Sequence, residues 1–225
     1  MTDYTLTRSK RKTVALYVRD DASIEVRAPL KMPKRDINKF VESKSDWIDK
    51  EVALKKEQNA ARDDFELDYG SFAAYRGKDY PIEAKPGNRC GFDDMQFYVP
   101  PDLSPEQIKP AVKQVYRMLA KRDLSGKVQN FAKQMGVMPT AVKINGATTR
   151  WGSCSNRKSL NFSWRLMMAE DDVIDYVVVH ELAHITEMSH SKRFWAIVER
   201  VLPDYRERKA KLKELQQRLK LEDWE

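Results

Sequence analysis

The chain has only three histidines and two cysteines among its 225 residues, and no apolar run near the roughly 18 residues that a membrane-spanning helix needs. These scarcities exclude several classes of protein. Cys90 and Cys154 are far apart and form no C-x-x-C pair, so neither a disulfide framework nor a cysteine zinc site is expected. Residues 1–12 lack the apolar core of a signal peptide, and the expected location is the cytoplasm, with no membrane partner. A Walker-type Gly-rich loop, an internal repeat and a low-complexity tract are all missing. So are helix-turn-helix, zinc-finger and RNA-binding signatures. The net charge of +7 therefore does not by itself argue for a nucleic-acid partner. In the tail Arg206, Arg208, Lys209, Lys211 and Lys213 alternate with Asp204, Glu207 and Glu214, which reads as a solvated helix face.

What is present is concentrated. A chain that is 41% hydrophobic and 33% charged reads as globular, with ample length for a core. All three histidines fall in one window: His180-Glu181-Leu182-Ala183-His184, then His190. On a helix, His180 and His184 are i and i+4 and share a face, roughly 6 Å apart along the axis. Two imidazoles so placed reach one zinc ion at about 2.0–2.1 Å. Glu181 lies about 100° around the helix from His180, where its carboxylate takes a proton from water instead of binding the metal. His190 is the candidate third ligand if the chain turns back near Met188, leaving one coordination position open. The expected cofactor is Zn2+, with another divalent metal as the alternative.

The rest of the chain reads as an α+β protein, divided into a β-rich region over 1–102 and a catalytic region over 103–225. Three strands are expected at 4–7, 13–18 and 23–27, arranged as a meander, followed by one helix over 34–56 with Ile37, Phe40, Val41, Ile48 and Val52 as its apolar stripe and Trp47 beside it in the core. Residues 59–64 read as a linker. Strands follow at 71–76, 80–84 and 95–99. Ser104, Pro105 and Gln107 then open a long helix with a capping box, in which Pro110 predicts a kink and Gly136 a stop. A short strand at 141–144 and the turn Asn145-Gly146 lead to Arg150-Trp151-Gly152 and a strand at 159–166. If the free edge of that last strand lies beside the active-site helix, it would pair with extended substrate, with Arg150 and Trp151 as substrate-binding residues at the cleft mouth; spacing alone slightly favours the alternative, in which Trp151 is core and Gly152 a bulge. The run Val-Ile-Asp-Tyr-Val-Val-Val at 173–179 has strand propensity. The need to bring two ligands onto one face makes it a buried helix instead.

Trp151-Gly152-Ser153-Cys154, Asn161, the stretch from Asp175 through His184, His190-Ser191 and Phe194-Trp195 together resemble the YgjP-like family of metal-dependent hydrolases, zincins related to the SprT and Wss-type metallopeptidases. The resemblance implies a zincin-like metallopeptidase domain with an active-site helix and small sheet, zinc on His180, His184 and His190, and Glu181 as the catalytic residue. The spacing also matches the metzincin pattern H-E-x-x-H-x-x-G-x-x-H, except that Glu187 stands at the glycine. A glycine there eases the turn that returns the third ligand, so Glu187 is itself weighed as a substitute ligand.

Two activities fit such a site. One is peptide hydrolysis by metal-activated water. The other is hydrolysis of a nucleoside triphosphate such as UTP, with Arg150, Arg157, Lys158 and Arg165 as the cations available for phosphate. A reading from another class is a basic adaptor with a structural zinc, which requires a fourth protein ligand.

Overall fold

The structure is a computed structural model that describes residues 2–224. It is α+β, with six helices and three small sheets, and falls into two compact units: the residues up to Phe65 with Lys220–Asp223, and Glu66–Leu219 with Trp224. Residue 102 lies inside the second unit.

In the first unit β1 (Thr5–Ser9), β2 (Ala15–Val18) and β3 (Ile24–Pro29) pair in the order β1-β3-β2. This is not the expected meander, because β1 runs parallel to β3. The central strand buries Val26 and Ala28 and so needs partners at both edges. Buried Glu25 accepts from Thr7 Oγ1 and Arg27 Nε at 3.1 Å each and is also ion-paired with Arg19. The expected single helix is two, α1 (Lys34–Glu42) and α2 (Ser45–Asp63). The break is at Ser43, whose hydroxyl donates to Phe40 O at 2.7 Å in place of a continued ladder. Ile37, Val41 and Ile48 still reach the core with Val26 and Ala28. Trp47, expected in the core, is 45% exposed, because the break rotates its turn away from the stripe. Residues 59–63 are helix, not linker. There Asn59 Nδ2 donates to Asp20 O at 2.7 Å and Lys55 Nζ meets Asp20 Oδ1 at 2.7 Å, holding this end of α2 to the β2–β3 turn.

The second unit opens with β4 (Phe72–Tyr75), β5 (Lys78–Ala84), β6 (Gly91–Phe92) and β7 (Phe97–Val99), in the order β4-β5-β7-β6. The short β6 was not expected. The capping box of Ser104 and Gln107 starts α3 (Pro105–Met135), and Gly136 ends it with φ 66. Pro110 sits inside this helix without dividing it. It forfeits one backbone bond near the helix start, a loss outweighed by buried Ile108, Val112, Val115, Tyr116 and Leu119. Beyond α3 lies the sheet that matters for the site: β8 (Ala141–Asn145), β9 (Gly152–Cys154) and β10 (Ser159–Ser163), in the order β8-β10-β9. β10 is therefore central, parallel to β8 and antiparallel to β9. The edge facing the active-site helix belongs to β9, not to β10 as expected. β10 passes directly into a 3-10 turn, Trp164–Met168.

Three helices complete the unit: α4 (Asp171–Ala183), α5 (Lys192–Val201) and α6 (Tyr205–Arg218). The strand-prone run at 173–179 is helical because α4 is buried nearly all round, with Val173, Ile174, Tyr176, Val177, Val178, Val179 and Leu182 in the core. Each valine costs at most about 0.7 kcal/mol in helix propensity. Burying each contributes about 1.5–3 kcal/mol, so packing wins. Ion pairs tie the first turn of α4 to its neighbours. Lys127 of α3 reaches Asp175 at 2.6 Å and Asp171 at 3.2 Å, and Lys211 of α6 reaches Glu170 at 2.6 Å and Asp172 at 3.0 Å.

Trp224 closes this core. Its ring meets Tyr116 at 5.5 Å and Trp164 at 5.7 Å, both edge to face, while Tyr116 and Trp164 stack on each other. Replacing Trp224 by alanine is expected to lower the unfolding free energy by roughly 3–5 kcal/mol. Urea titration would read this as a lower midpoint with an unchanged slope, and a midpoint within error of wild type would show that the ring contributes nothing.

Candidate metal centre

The last turn of α4 presents His180 and Glu181, and His184 stands at its C-cap. The next residues do not continue the helix. Ile185 N bonds Leu182 O, and both Thr186 N and Glu187 N bond Ala183 O, all at 3.0 Å, which curls the chain back toward α4. No left-handed residue is needed in this turn, since Glu187 is not among the positive-φ positions. The missing metzincin glycine therefore puts no strain on the fold. Glu187 is not held toward the histidines by its carboxylate: Oε1 accepts from Ser189 N at 3.2 Å and from Ser189 Oγ at 2.7 Å. Its carbonyl does the useful work, 3.1 Å from His184 Nδ1. Donation from Nδ1–H to that oxygen leaves His184 Nε2 with its lone pair. Ser191 then caps α5, its Oγ accepting from Phe194 N at 3.3 Å, and His190, one residue earlier, swings over α4.

The three imidazoles converge. Ligand nitrogens of His180, His184 and His190 all lie within 4.8 Å of one another, and Nε2 of His190 is 3.0 Å from Nε2 of His180. Two nitrogens bound tetrahedrally to one zinc ion would stand roughly 3.3 Å apart, so the His180–His190 pair is already near that spacing, and the trio, within 4.8 Å, fits such an ion once its members draw together. Phe194, fully buried, supports all three rings at centroid distances of 4.5–4.9 Å. Trp195 lies nearly parallel to His190 and to Tyr205. Burial, followed by the neighbouring imidazoles, pushes His180 down to about 3, and burial lowers His184 as well. Both rings are therefore neutral and ready to bind metal at neutral pH. Among the described residues no carboxylate or thiol joins the three nitrogens, so the cluster offers three donors that could hold a metal ion and no fourth.

Glu181 lies around α4 from this cluster, 5% exposed. Burial pushes its carboxyl up to about 7, opposed by the charge of Arg150. Its neighbour is the backbone of β9. A methyl group on Gly152 would stand 2.7 Å from both Cγ and Oε1 of Glu181, so only a residue without a side chain lets β9 and the carboxylate lie side by side. The space beyond is a cleft of about 570 Å³, lined on one side by Trp151, Gly152, Tyr176, His180 and Glu181.

Each residue expected at the site has a definite place. His180, His184 and His190 come together, Glu181 and Trp151 line the cleft with His180, and Arg150 does not line it but is near enough to act on Glu181. The other cations considered for phosphate do not line it. Arg165 is buried with Nη1 donating to Gly146 O at 2.6 Å, and Arg157 and Lys158 occupy the β9–β10 turn. The opposite wall of the cleft escaped the sequence reading. It is α6, through Arg206, Lys209, Ala210, Leu212, Lys213 and Gln216. The i, i+3, i+7 spacing of the three cations is visible in the sequence, but Glu207, Arg208 and Lys211 between them and Asp204 and Glu214 beside them hide it.

A model of the YgjP-like family, described as its metallopeptidase domain, matches residues 12–215. The comparison with curated proteins returned no match. Among solved structures, the metallopeptidase zymogen abylysin of Pyrococcus abyssi is similar over 43% of this chain and 94% of its own, at 22% identity and a TM-score of 0.38. No helix of the described residues is long and apolar enough to cross a membrane.

Proposed function

We propose, since the chain belongs to the YgjP-like family of the metallopeptidase-domain description, that it is a metal-dependent hydrolase that cleaves peptide bonds with Glu181 as general base. One observation carries this reading: three imidazole nitrogens converge with no fourth protein ligand among the described residues, and one of those imidazoles, His180, lines a cleft together with the buried carboxylate of Glu181. A set of three donors disfavours a purely structural metal, which takes four protein ligands. His180, His184 and His190 would hold a divalent ion, with zinc the best match to an all-imidazole set. Such an ion, when bound, supplies Lewis acidity toward a carbonyl and makes a water molecule more acidic.

The chain's own residues do the rest. Glu181 accepts the proton of the attacking water and returns it to the leaving amine. Its low-dielectric surroundings place its affinity for protons near neutrality, suited to both halves of that transfer. β9 offers a strand edge with Gly152 at its start, against which an extended peptide lies as an added strand. Trp151 beside it covers an apolar part of the chain.

Nucleoside triphosphate hydrolysis is the second reading, favoured by the cations that α6 places in the cleft. One experiment addresses both. Zinc-loaded protein is given a quenched-fluorescence peptide library and a nucleoside triphosphate panel, with and without a chelator. Expected are one metal ion per chain, peptide cleavage that chelation abolishes and zinc restores, and no phosphate release. Phosphate or pyrophosphate release without peptide cleavage would transfer the assignment to nucleotides, and a metal-free protein after zinc loading would end it.

A further inference from the structure

The two sides of α6 use their basic residues differently. At 100° per residue Arg208 and Lys211 face one way, and Arg206, Lys209 and Lys213 face nearly the opposite way. On the first side the cations are consumed by structure: Arg208 pairs with Asp204 at 2.9 Å and donates to Asp172 O at 3.0 Å, while Lys211 holds Glu170 and Asp172. On the second side they line the catalytic cleft. Arg206 has one carboxylate, Glu199 at 2.9 Å. Neither Lys209 nor Lys213 has a carboxylate within salt-bridge distance among the described residues. The stems are nonetheless positioned, with Lys209 Nζ 5.0 Å from the Trp195 ring and the Arg206 guanidinium 4.8 Å from the Tyr205 ring. The rest of the cleft wall is largely apolar, from Trp151, Tyr176, Val177, Ala210 and Leu212, and Glu181 is its one acidic side chain. A cleft lined by one sign of charge within low-dielectric walls concentrates its field on whatever enters.

We infer that Arg206, Lys209 and Lys213 form an anion-accepting wall of the catalytic cleft, and that the substrate carries negative charge on the part that lies against α6. The inference relies on the hydrolase reading only for the statement that the anion belongs to a substrate. The wall shares its cleft with the proposed reacting groups, since His180, Glu181 and Gly152 line the same space. Its cations therefore select substrates and orient them across the cleft. An acidic peptide side chain and a phosphate share the required chemistry, and the test separates them.

The test measures binding without turnover, on zinc-loaded Glu181→Gln protein, by fluorescence anisotropy of a labelled peptide alternating glutamate with leucine. Lysine and glutamine replace glutamate in two control peptides, and inorganic tripolyphosphate serves as competitor. The glutamate peptide is expected to bind best, and more weakly as salt is raised. Adding Arg206→Gln, Lys209→Gln and Lys213→Gln together should weaken it by roughly tenfold or more. Removing the same charge from exposed positions that do not line the cleft, by Lys78→Gln, Arg89→Gln and Lys133→Gln, should change it by less than about twofold, since solvent-exposed charge outside the cleft is screened. Displacement by tripolyphosphate at far lower concentration than the peptide would identify the anion as phosphate, and failure to displace would identify it as carboxylate; either supports the wall. Equal losses in the two triple variants, equal binding of the lysine peptide, or no binding of either anion would overturn it. Loss of the hydrolase reading leaves this binding result standing, and loss of the wall leaves hydrolysis by Glu181 standing.

Discussion

Glu181→Gln protein should retain its metal and its fold and lose roughly 10²–10⁴ in turnover on the peptides that wild type cleaves. The amide occupies the same volume against Gly152, and burying it in place of a carboxylate removes a group whose charged form burial already disfavours. It accepts no proton at neutral pH, so water in the cleft is left without a base. The three histidines are untouched, because none of their described contacts involves the Glu181 side chain. Metal content by mass spectrometry, thermal melting and initial rates would be read on the same preparation. Activity above about a tenth of wild type would reassign the general base, and loss of metal would show that Glu181 belongs to the ligand set.

Gly152→Ala should be nearly as damaging, for a different reason. The backbone at Gly152 is not in the left-handed region, so any residue can adopt its conformation, and the obstacle is space alone. The new methyl group would stand 2.7 Å from Cγ and Oε1 and 2.9 Å from Cδ of Glu181, closer than carbon atoms approach. Glu181 is enclosed and β9 is hydrogen-bonded to β10 through Cys154, Ser153 and Gly152, so either the carboxylate or the strand must move by a substantial fraction of an ångström. Misplacing a catalytic group on that scale costs about 10²-fold in rate. Overpacking should also cost about 1–3 kcal/mol of stability, while metal content stays at one ion per chain. Gly126→Ala is the matching control, because a methyl group there meets nothing within 4 Å; in the interior of α3 it should stabilise by up to about 1 kcal/mol and leave the rate alone. Wild-type rates in Gly152→Ala would show that Glu181 has room to spare, and the close approach of β9 would then have no catalytic meaning.

The histidine cluster was legible because its information is local. His180 and His184 are one helical turn apart, and His190 needs only a short loop that closes on itself through Glu187 and Ser189. The capping box and the stop of α3 were legible on the same terms: Ser104 with Gln107, and Gly136. Departures came where a short-range pattern competes with distant partners. Residues 34–56 carry a continuous apolar stripe, yet Ser43 bonds back to Phe40 and divides it. Asn59 and its neighbours look like linker until Asp20, thirty-nine residues earlier, supplies an acceptor. Glu187 looked like a substitute ligand or an awkward turn residue, and it is the backbone carbonyl, invisible in any sequence, that orients His184.

From the order of residues alone follow the α+β class, read from alternating stretches of strand and helix periodicity, and the convergence of His180, His184 and His190, read from their spacing along one helix and turn; the proton-transfer role proposed for Glu181 rests on the same spacing. Tertiary structure decided which strand edge faces that helix, that Gly152 sets the room for Glu181, and that α6 supplies the opposite wall with Arg206, Lys209 and Lys213. Strand pairing and helix packing join residues dozens of positions apart. Their free energy comes from burying whole faces together, a quantity that no local pattern of charge or hydrophobicity carries.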